Sequence, residues 1–192
     1  MSSRPFVPDK PLVGAVLAAL DAQPSTVLVV GSPRVARALR RAGHAVTLWT
    51  LGGAGEAAAA LKAPLTWRST LEHPPPALDR YEALVLVNVL GRRVDPQGDL
   101  RRLVREARPG ALVLAAEQAA FGQGGRMLSR WFGRLLGRTL LMEPSELAAV
   151  FLNAGLSGLR QSWPQGLRSL VLIRGRVHRL ARVLDPGDAD GH

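Results

Sequence analysis

The sequence predicts an α/β fold with a seven-stranded, mostly parallel sheet and helices on both faces. Short apolar runs alternate with amphipathic helical stretches along most of the chain, which is the pattern of parallel strands joined by crossover helices. Near the end, the runs 156–162 and 167–174 are joined by a turn at residues 163–166, as in an antiparallel closing pair. Together these observations predict the strand order 3-2-1-4-5-7-6, with strand seven antiparallel.

The first β-α-β unit predicts a ligand-binding loop. Val27–Val30 is an apolar run suited to a buried strand, and it ends at the Gly-Ser-Pro turn 31–33. Proline suits the first turn of the next helix, because a missing N–H costs nothing there. The apolar stripe of that helix is formed by Val35, Ala36, Leu39 and Ala42. Since the strand Ala45–Leu51 follows, the turn lies where doubly wound folds bind nucleotides.

The rest of the chain continues the alternation. A helix beginning at Pro11 precedes the first strand, and the last helix opens at Glu143-Pro144 and stops at Gly155. The third, fourth and fifth strands are predicted at residues 65–67, 83–87 and 111–115. We expect a single domain at residues 11–182, with an extended arm at 1–10 and a disordered tail at 183–192.

Composition argues against several kinds of function. The 192 residues carry a net charge of +10 and no cysteine, so disulfides and thiolate nucleophiles are excluded. The positive charge is almost all arginine and is spread along the chain, as in proteins of GC-rich genomes, so nucleic acid is not an expected partner. No histidine or carboxylate cluster has metal-ligand spacing, and no metal site is predicted. No uncharged apolar run approaches about 18 residues, so we expect a cytoplasmic protein without a transmembrane segment.

Three stretches resemble the class I S-adenosylmethionine-dependent methyltransferases of the small-molecule type. Residues 79–87 resemble the lead into the fourth strand of that family, and Arg108-Pro109-Gly110 resembles its turn into the fifth strand. The phrase EPSELAAVFLNAGL, residues 143–156, resembles the helix before its sixth strand. The resemblance implies a Rossmann-like methyltransferase fold, with the cofactor at the loop after the first strand.

The cofactor landmarks of that family are incomplete here. Its first strand carries an acidic residue where this chain has Val29, and its G-x-G-x-G loop is reduced to one glycine. Its second strand ends in Asp or Glu, whereas residues 48–50 read Leu-Trp-Thr. The acidic residue after its third strand is replaced within residues 68–70, and Glu72 is the alternative carboxylate if that strand ends a few residues later. The resemblance therefore implies a degenerate cofactor site formed by Gly31, Ser32, Pro33, Trp49 and Thr50.

Two functional hypotheses follow from these losses. In the first, which the joint loss of three landmarks favours, S-adenosylmethionine is not bound and the protein is a non-catalytic binding or regulatory module. In the second, the protein is an atypical active methyltransferase for a small molecule. It would hold S-adenosylmethionine through backbone contacts and the faces of Trp49 and Trp67. Asn88, at the exit of strand four, is the candidate catalytic residue, and capping the strand end is its alternative role.

Residues 118–142 combine positive charge with apolar side chains. Four arginines recur every four residues, so a helix would gather them in one stripe beside an apolar arc. A basic amphipathic helix binds a protein partner or an anionic surface, whereas a lid or cap would close over the sheet. Gly133 and Gly137 weaken an isolated helix by about 1 kcal/mol each, which favours a segment held by packing. The predicted partner site consists of Arg126, Arg130, Arg134, Arg138, Trp131 and Phe132.

Overall fold

The computed structural model describes residues 9–20, 25–51, 66–69, 77–93, 95–119, 142–164 and 170–178. The strands are β1 Thr26–Val30, β2 Ala45–Leu51, β3 Thr66–Ser69, β4 Ala83–Val87, β5 Leu112–Gln118, β6 Leu156–Ser162 and β7 Leu170–Val177. The helices are α1 Asp9–Ala19, α2 Pro33–Arg41, α3 Pro96–Glu106 and α4 Pro144–Asn153, with 3-10 turns at Leu78–Arg80 and Leu90–Arg92. The predicted tail at 183–192 and the six residues of the predicted partner site lie outside the described residues.

These strands form one sheet in the order β3-β2-β1-β4-β5-β7-β6. β1 pairs in parallel with β2 and β4, while β7 lies antiparallel between β5 and β6. The predicted strand order and the direction of strand seven are confirmed. β7 spans Leu170–Val177 rather than the predicted 167–174. Helix α1 begins at Asp9, inside the predicted arm, because a proline in the first turn removes only an N–H that no helical carbonyl would accept.

Two hydrophobic clusters lie on opposite faces of the sheet. Helices α1 and α2 contribute Val16 and Leu39 to one cluster, together with Val29 of β1. Helices α3 and α4 contribute Leu103 and Phe151 to the other. Central strands covered on both faces need apolar side chains at successive positions, which accounts for the continuous apolar runs in the sequence. None of the described helices is long and apolar enough to cross a membrane.

The connectivity of the sheet creates a crevice at its carboxyl edge. From β1 the chain adds β2 and β3 on one side, and β4 and β5 on the other, so the order reverses between β1 and β4. In doubly wound folds, ligands bind outside the strand ends at such a reversal. Farther along this edge, Ala119 beyond β5 forms an isolated parallel bridge with Met142. The candidate site therefore lies at the carboxyl ends of β1, β2 and β4.

Candidate active site

The loop after β1 is pressed against the end of β4. Gly31 has a φ of +88° and donates its N–H to the Trp49 carbonyl at 3.1 Å. A β-carbon at Gly31 would lie 2.7 Å from the Val87 carbonyl oxygen and 3.0 Å from Cγ2 of Val89. Only glycine combines this backbone conformation with so close an approach. The crevice between β1 and β4 is therefore narrow beside Gly31.

Few backbone N–H groups are available to a ligand at the amino end of α2. Ser32 is the N-cap, and its hydroxyl oxygen accepts the Val35 N–H at 3.3 Å. Pro33 occupies the first turn and has no N–H to offer. The Ala36 N–H donates to the Ser32 carbonyl, as the helix requires. A helix amino end attracts anions through unpaired N–H groups, and this one has fewer of them than an end with glycine at the same positions.

Two of the three positions where the resemblance implies carboxylates lie inside the protein. Val29 is fully buried and stands in register between Leu48 of β2 and Val85 of β4. At the end of β2, Thr50 is only 3% exposed. An acidic side chain at either position would need a polar partner to offset its desolvation. The apolar environment of Val29 fits the valine that is present.

Trp49, one of the two tryptophans considered as a cofactor contact, is part of the core. Its side chain is fully buried in the cluster on the α3 and α4 face, and Trp67 lies opposite it in the β2–β3 pairing. Among the residues that the structure describes, Nε1 of Trp49 is a buried polar atom without a hydrogen-bond partner. The structure thus shows Trp49 as a packing residue, with no exposed ring face.

Asn88 ends β4 in a left-handed conformation, with a φ of +52°. Its N–H donates to the Ala116 carbonyl at 2.9 Å, and its side-chain oxygen accepts the Gln118 N–H at 3.3 Å. Asparagine tolerates this conformation better than most residues because its short polar side chain can bond locally. These contacts are those of a strand-end cap joining β4 to β5, while a catalytic role for Asn88 stays a prediction.

A buried carboxylate organises the residues that follow Asn88. Glu117 of β5 is 3% exposed, and its Oε1 accepts the N–H groups of Val89 and Leu90 at 2.8 and 2.9 Å. Its Oε2 accepts the Gly91 N–H at the longer distance of 3.4 Å. Three successive backbone donors thus converge on one side chain. A carboxylate that accepts several N–H groups offsets part of the cost of its burial.

An ion pair fixes the far end of the segment that follows β4. Nε of Arg93 donates to the carboxylate of Asp99 at 2.5 Å, and Asp99 is 6% exposed in the first turn of α3. The β4 exit segment, residues 88–93, is therefore held by β5 on one side and α3 on the other. Within it, the N–H groups of Val89, Leu90 and Gly91 face Glu117 instead of the crevice.

The structure brings part of the predicted site together. Gly31, Trp49 and the β4 end meet at one edge, and Ser32 and Pro33 follow Gly31 into α2. Sequence reasoning missed Glu117 and the contact of Val89 with Gly31. A signal for Glu117 was present, since it is the one charged residue in the apolar strand LVLAAEQ. A carboxylate in such a strand needs buried donors.

Comparison with known proteins gives a likeness in structure alone. No family model and no curated protein matches the sequence. A methyltransferase in complex with the Trm112 methyltransferase activator of Haloferax volcanii matches with a TM-score of 0.70 and 15% identity, covering 88% of this chain and 89% of that one. A SAM-dependent methyltransferase from Thermotoga maritima matches with a TM-score of 0.68 and 15% identity over 88% and 89%. The structure of PigF with SAH matches with a TM-score of 0.70 and 18% identity, covering 86% of this chain and 61% of that one.

This chain has the class I methyltransferase fold. The resemblance seen in residues 79–87, 108–110 and 143–156 is confirmed at the level of the fold. In this methyltransferase fold, the crevice between β1 and β4 is the place to test for a cofactor. Since the identities are 15% to 18%, these likenesses show the fold and not the activity.

Proposed function

We propose that this protein is a non-catalytic member of the methyltransferase fold that does not bind S-adenosylmethionine and acts as a binding or regulatory module. The observation that carries the proposal is the loop after β1. Gly31 donates its N–H to Trp49, Pro33 has none, and the side chain of Ser32 takes the donor of Val35. A cofactor carboxylate would meet a loop whose donors are largely absent or already paired.

The carboxylate positions support the same proposal. Val29 is sealed between two strands, and the end of β2 offers a buried threonine in place of an acidic residue. Two hydroxyl groups of a ribose are bound most firmly by a charged acceptor, because hydrogen bonds to ionised groups are about twice as strong as neutral ones. A threonine hydroxyl is neutral, so its hydrogen bond to a ribose hydroxyl is weaker than that of a carboxylate.

The alternative is an atypical active methyltransferase for a small molecule. It is supported by the retained Gly31 and by the likeness to PigF, whose structure is described with SAH. Under this alternative S-adenosylmethionine would be held by backbone groups at the crevice. Trp49 is fully buried, so a cofactor could not stack on its ring. This observation counts against the alternative.

Calorimetric titration with S-adenosylmethionine and S-adenosylhomocysteine tests the proposed function. We expect no binding tighter than the millimolar range, which corresponds to about 4 kcal/mol or less. The physical reason is the missing donor at Pro33 and the missing carboxylate at the end of β2. A thermal unfolding curve of the same sample shows that the protein is folded. Micromolar affinity for either compound would reject the proposal in favour of the active alternative.

The basic segment is the proposed partner-binding site. The Haloferax volcanii structure with the same fold contains a protein activator, which supports a protein partner as one use of such a domain. Arg126, Arg130, Arg134 and Arg138 would bind an acidic protein or an anionic surface through their summed charge. Trp131 and Phe132 would add apolar contact area beside them.

Changing all four arginines of the stripe to glutamate is expected to abolish co-sedimentation with vesicles that contain phosphatidylserine. Unfolding should change little, since an exposed charge contributes less than about 1 kcal/mol to stability. The matched control changes Arg37, Arg40, Arg41 and Arg102, which are exposed on α2 and α3, to glutamate. Equal loss in both variants would mean that only net charge matters. If Trp131→Ala lowers the unfolding free energy by about 3 kcal/mol or more while the stripe variant sediments normally, the segment is a cap.

A further inference from the structure

A groove lies on the α1 face of the sheet, away from the crevice between β1 and β4. Its volume is about 380 Å³, within the range of small-molecule sites. The floor includes Leu114 and Leu172, and the wall on one side consists of alanines of α1. On the other side the groove reaches the end of β6 and the residues that follow it.

Two arginines face each other in this groove. Arg160 of β6 and Arg174 of β7 are directly opposite in the antiparallel register, and both line the groove. Like charges at opposed positions destabilise a sheet, so the pair has an electrostatic cost in the protein alone. The guanidinium of Arg174 is oriented by the Ala19 carbonyl, to which Nη1 donates at 2.8 Å. Among the described residues that line the groove, none is acidic.

The mouth of the groove carries an exposed aromatic ring. Trp163 is 53% exposed, one of two large apolar side chains described as exposed in this structure. It follows β6 directly and lines the groove together with Ser162 and Pro164. An exposed tryptophan beside paired arginines provides a stacking surface next to a positive centre.

We propose that this groove binds a small apolar molecule that carries one carboxylate. The carboxylate bridges Arg160 and Arg174, which removes the repulsion between them, and the apolar body lies over Leu114 and Leu172 beside Trp163. Arginine suits this role because its planar fork bonds a carboxylate through two parallel N–H groups. The inference is independent of the proposed function, since the groove and the cofactor crevice use different residues.

Calorimetric titration of the full chain with naphthylacetate and with naphthylacetamide tests the proposal. The two probes share the same ring system and differ in the charge of one group. We expect the acid to bind at least about fivefold more tightly than the amide, because only the acid can pair with both guanidiniums. Arg160→Gln should weaken the acid about tenfold and leave the amide unchanged. Trp163→Ala should weaken both probes.

Arg102→Gln is the matched control, since it removes an exposed arginine from α3 on the opposite face of the sheet. Affinity for the acid should be unaffected by this change and by added S-adenosylhomocysteine. Equal weakening by Arg160→Gln and Arg102→Gln, or equal affinity for acid and amide, would overturn the proposal. So would an Arg160-dependent affinity for a poly-aspartate peptide without measurable binding of naphthylacetate, because that outcome assigns the groove to an acidic protein partner.

Discussion

Glu117→Ala is expected to lower the free energy of unfolding by about 3–5 kcal/mol. The substitution leaves the N–H groups of Val89, Leu90 and Gly91 without their acceptor at a buried position. Each lost bond to a charged acceptor contributes about 1.5–3 kcal/mol, and water entering the vacated space recovers part of that loss. Urea unfolding monitored by circular dichroism measures the change.

Two further variants serve as controls. One keeps the shape of the Glu117 side chain without its charge, and the other removes an exposed charge elsewhere. Glu117→Gln keeps one acceptor oxygen for Val89 and Leu90, so its cost should be about 1–2 kcal/mol. Glu106→Gln, at an exposed position at the end of α3, should change stability by less than about 0.5 kcal/mol. If Glu117→Ala proves as mild as Glu106→Gln, the carboxylate does not hold the β4 exit segment.

Gly31→Ala is expected to cost about 2–4 kcal/mol of unfolding free energy. Alanine at a φ of +88° is strained, and its β-carbon would overlap the Val87 carbonyl oxygen at 2.7 Å. That neighbour is a backbone atom at the end of the central strand β4, so it cannot rotate away as a side chain would. The measurement is again the urea midpoint and slope.

Gly43→Ala isolates the steric part of this effect. Gly43 has nearly the same conformation, with a φ of +94°, but a β-carbon there meets nothing within 4 Å. Its cost should be about 1 kcal/mol, from backbone strain alone. The difference between the two variants reports how tightly the β1 loop is packed against β4. Equal costs would show that the crevice beside Gly31 has room for a methyl group.

The order of elements could be predicted because each one has a local cause. Val27–Val30 and Ala83–Val87 are continuous apolar runs, as strands buried on both faces require. Pro33 and Pro144 mark helix starts, and the structure places both in a first helical turn. Patterns of this kind depend only on residues that are close in sequence, so they can be interpreted without knowledge of the tertiary structure.

The organisation of the site could not be predicted in the same way. Glu117 meets Val89 and Leu90, which precede it by more than 25 positions, through a strand pairing that no local pattern specifies. The fit of Gly31 against Val87 depends on the spacing of two parallel strands at the level of single atoms. The Arg160–Arg174 pair likewise depends on the register of the β6–β7 pairing, which shifts between Ser157 and Arg160.

The bridge between Ala119 and Met142 has a consequence for how much the length of the chain between them can vary. It fixes the two ends of the intervening stretch side by side, so the strands impose no requirement on the number of residues between them. For a flexible connection, each doubling of length costs only about 0.6 kcal/mol in closure entropy. A change in the number or identity of residues 120–141 would therefore leave the register of the seven strands the same.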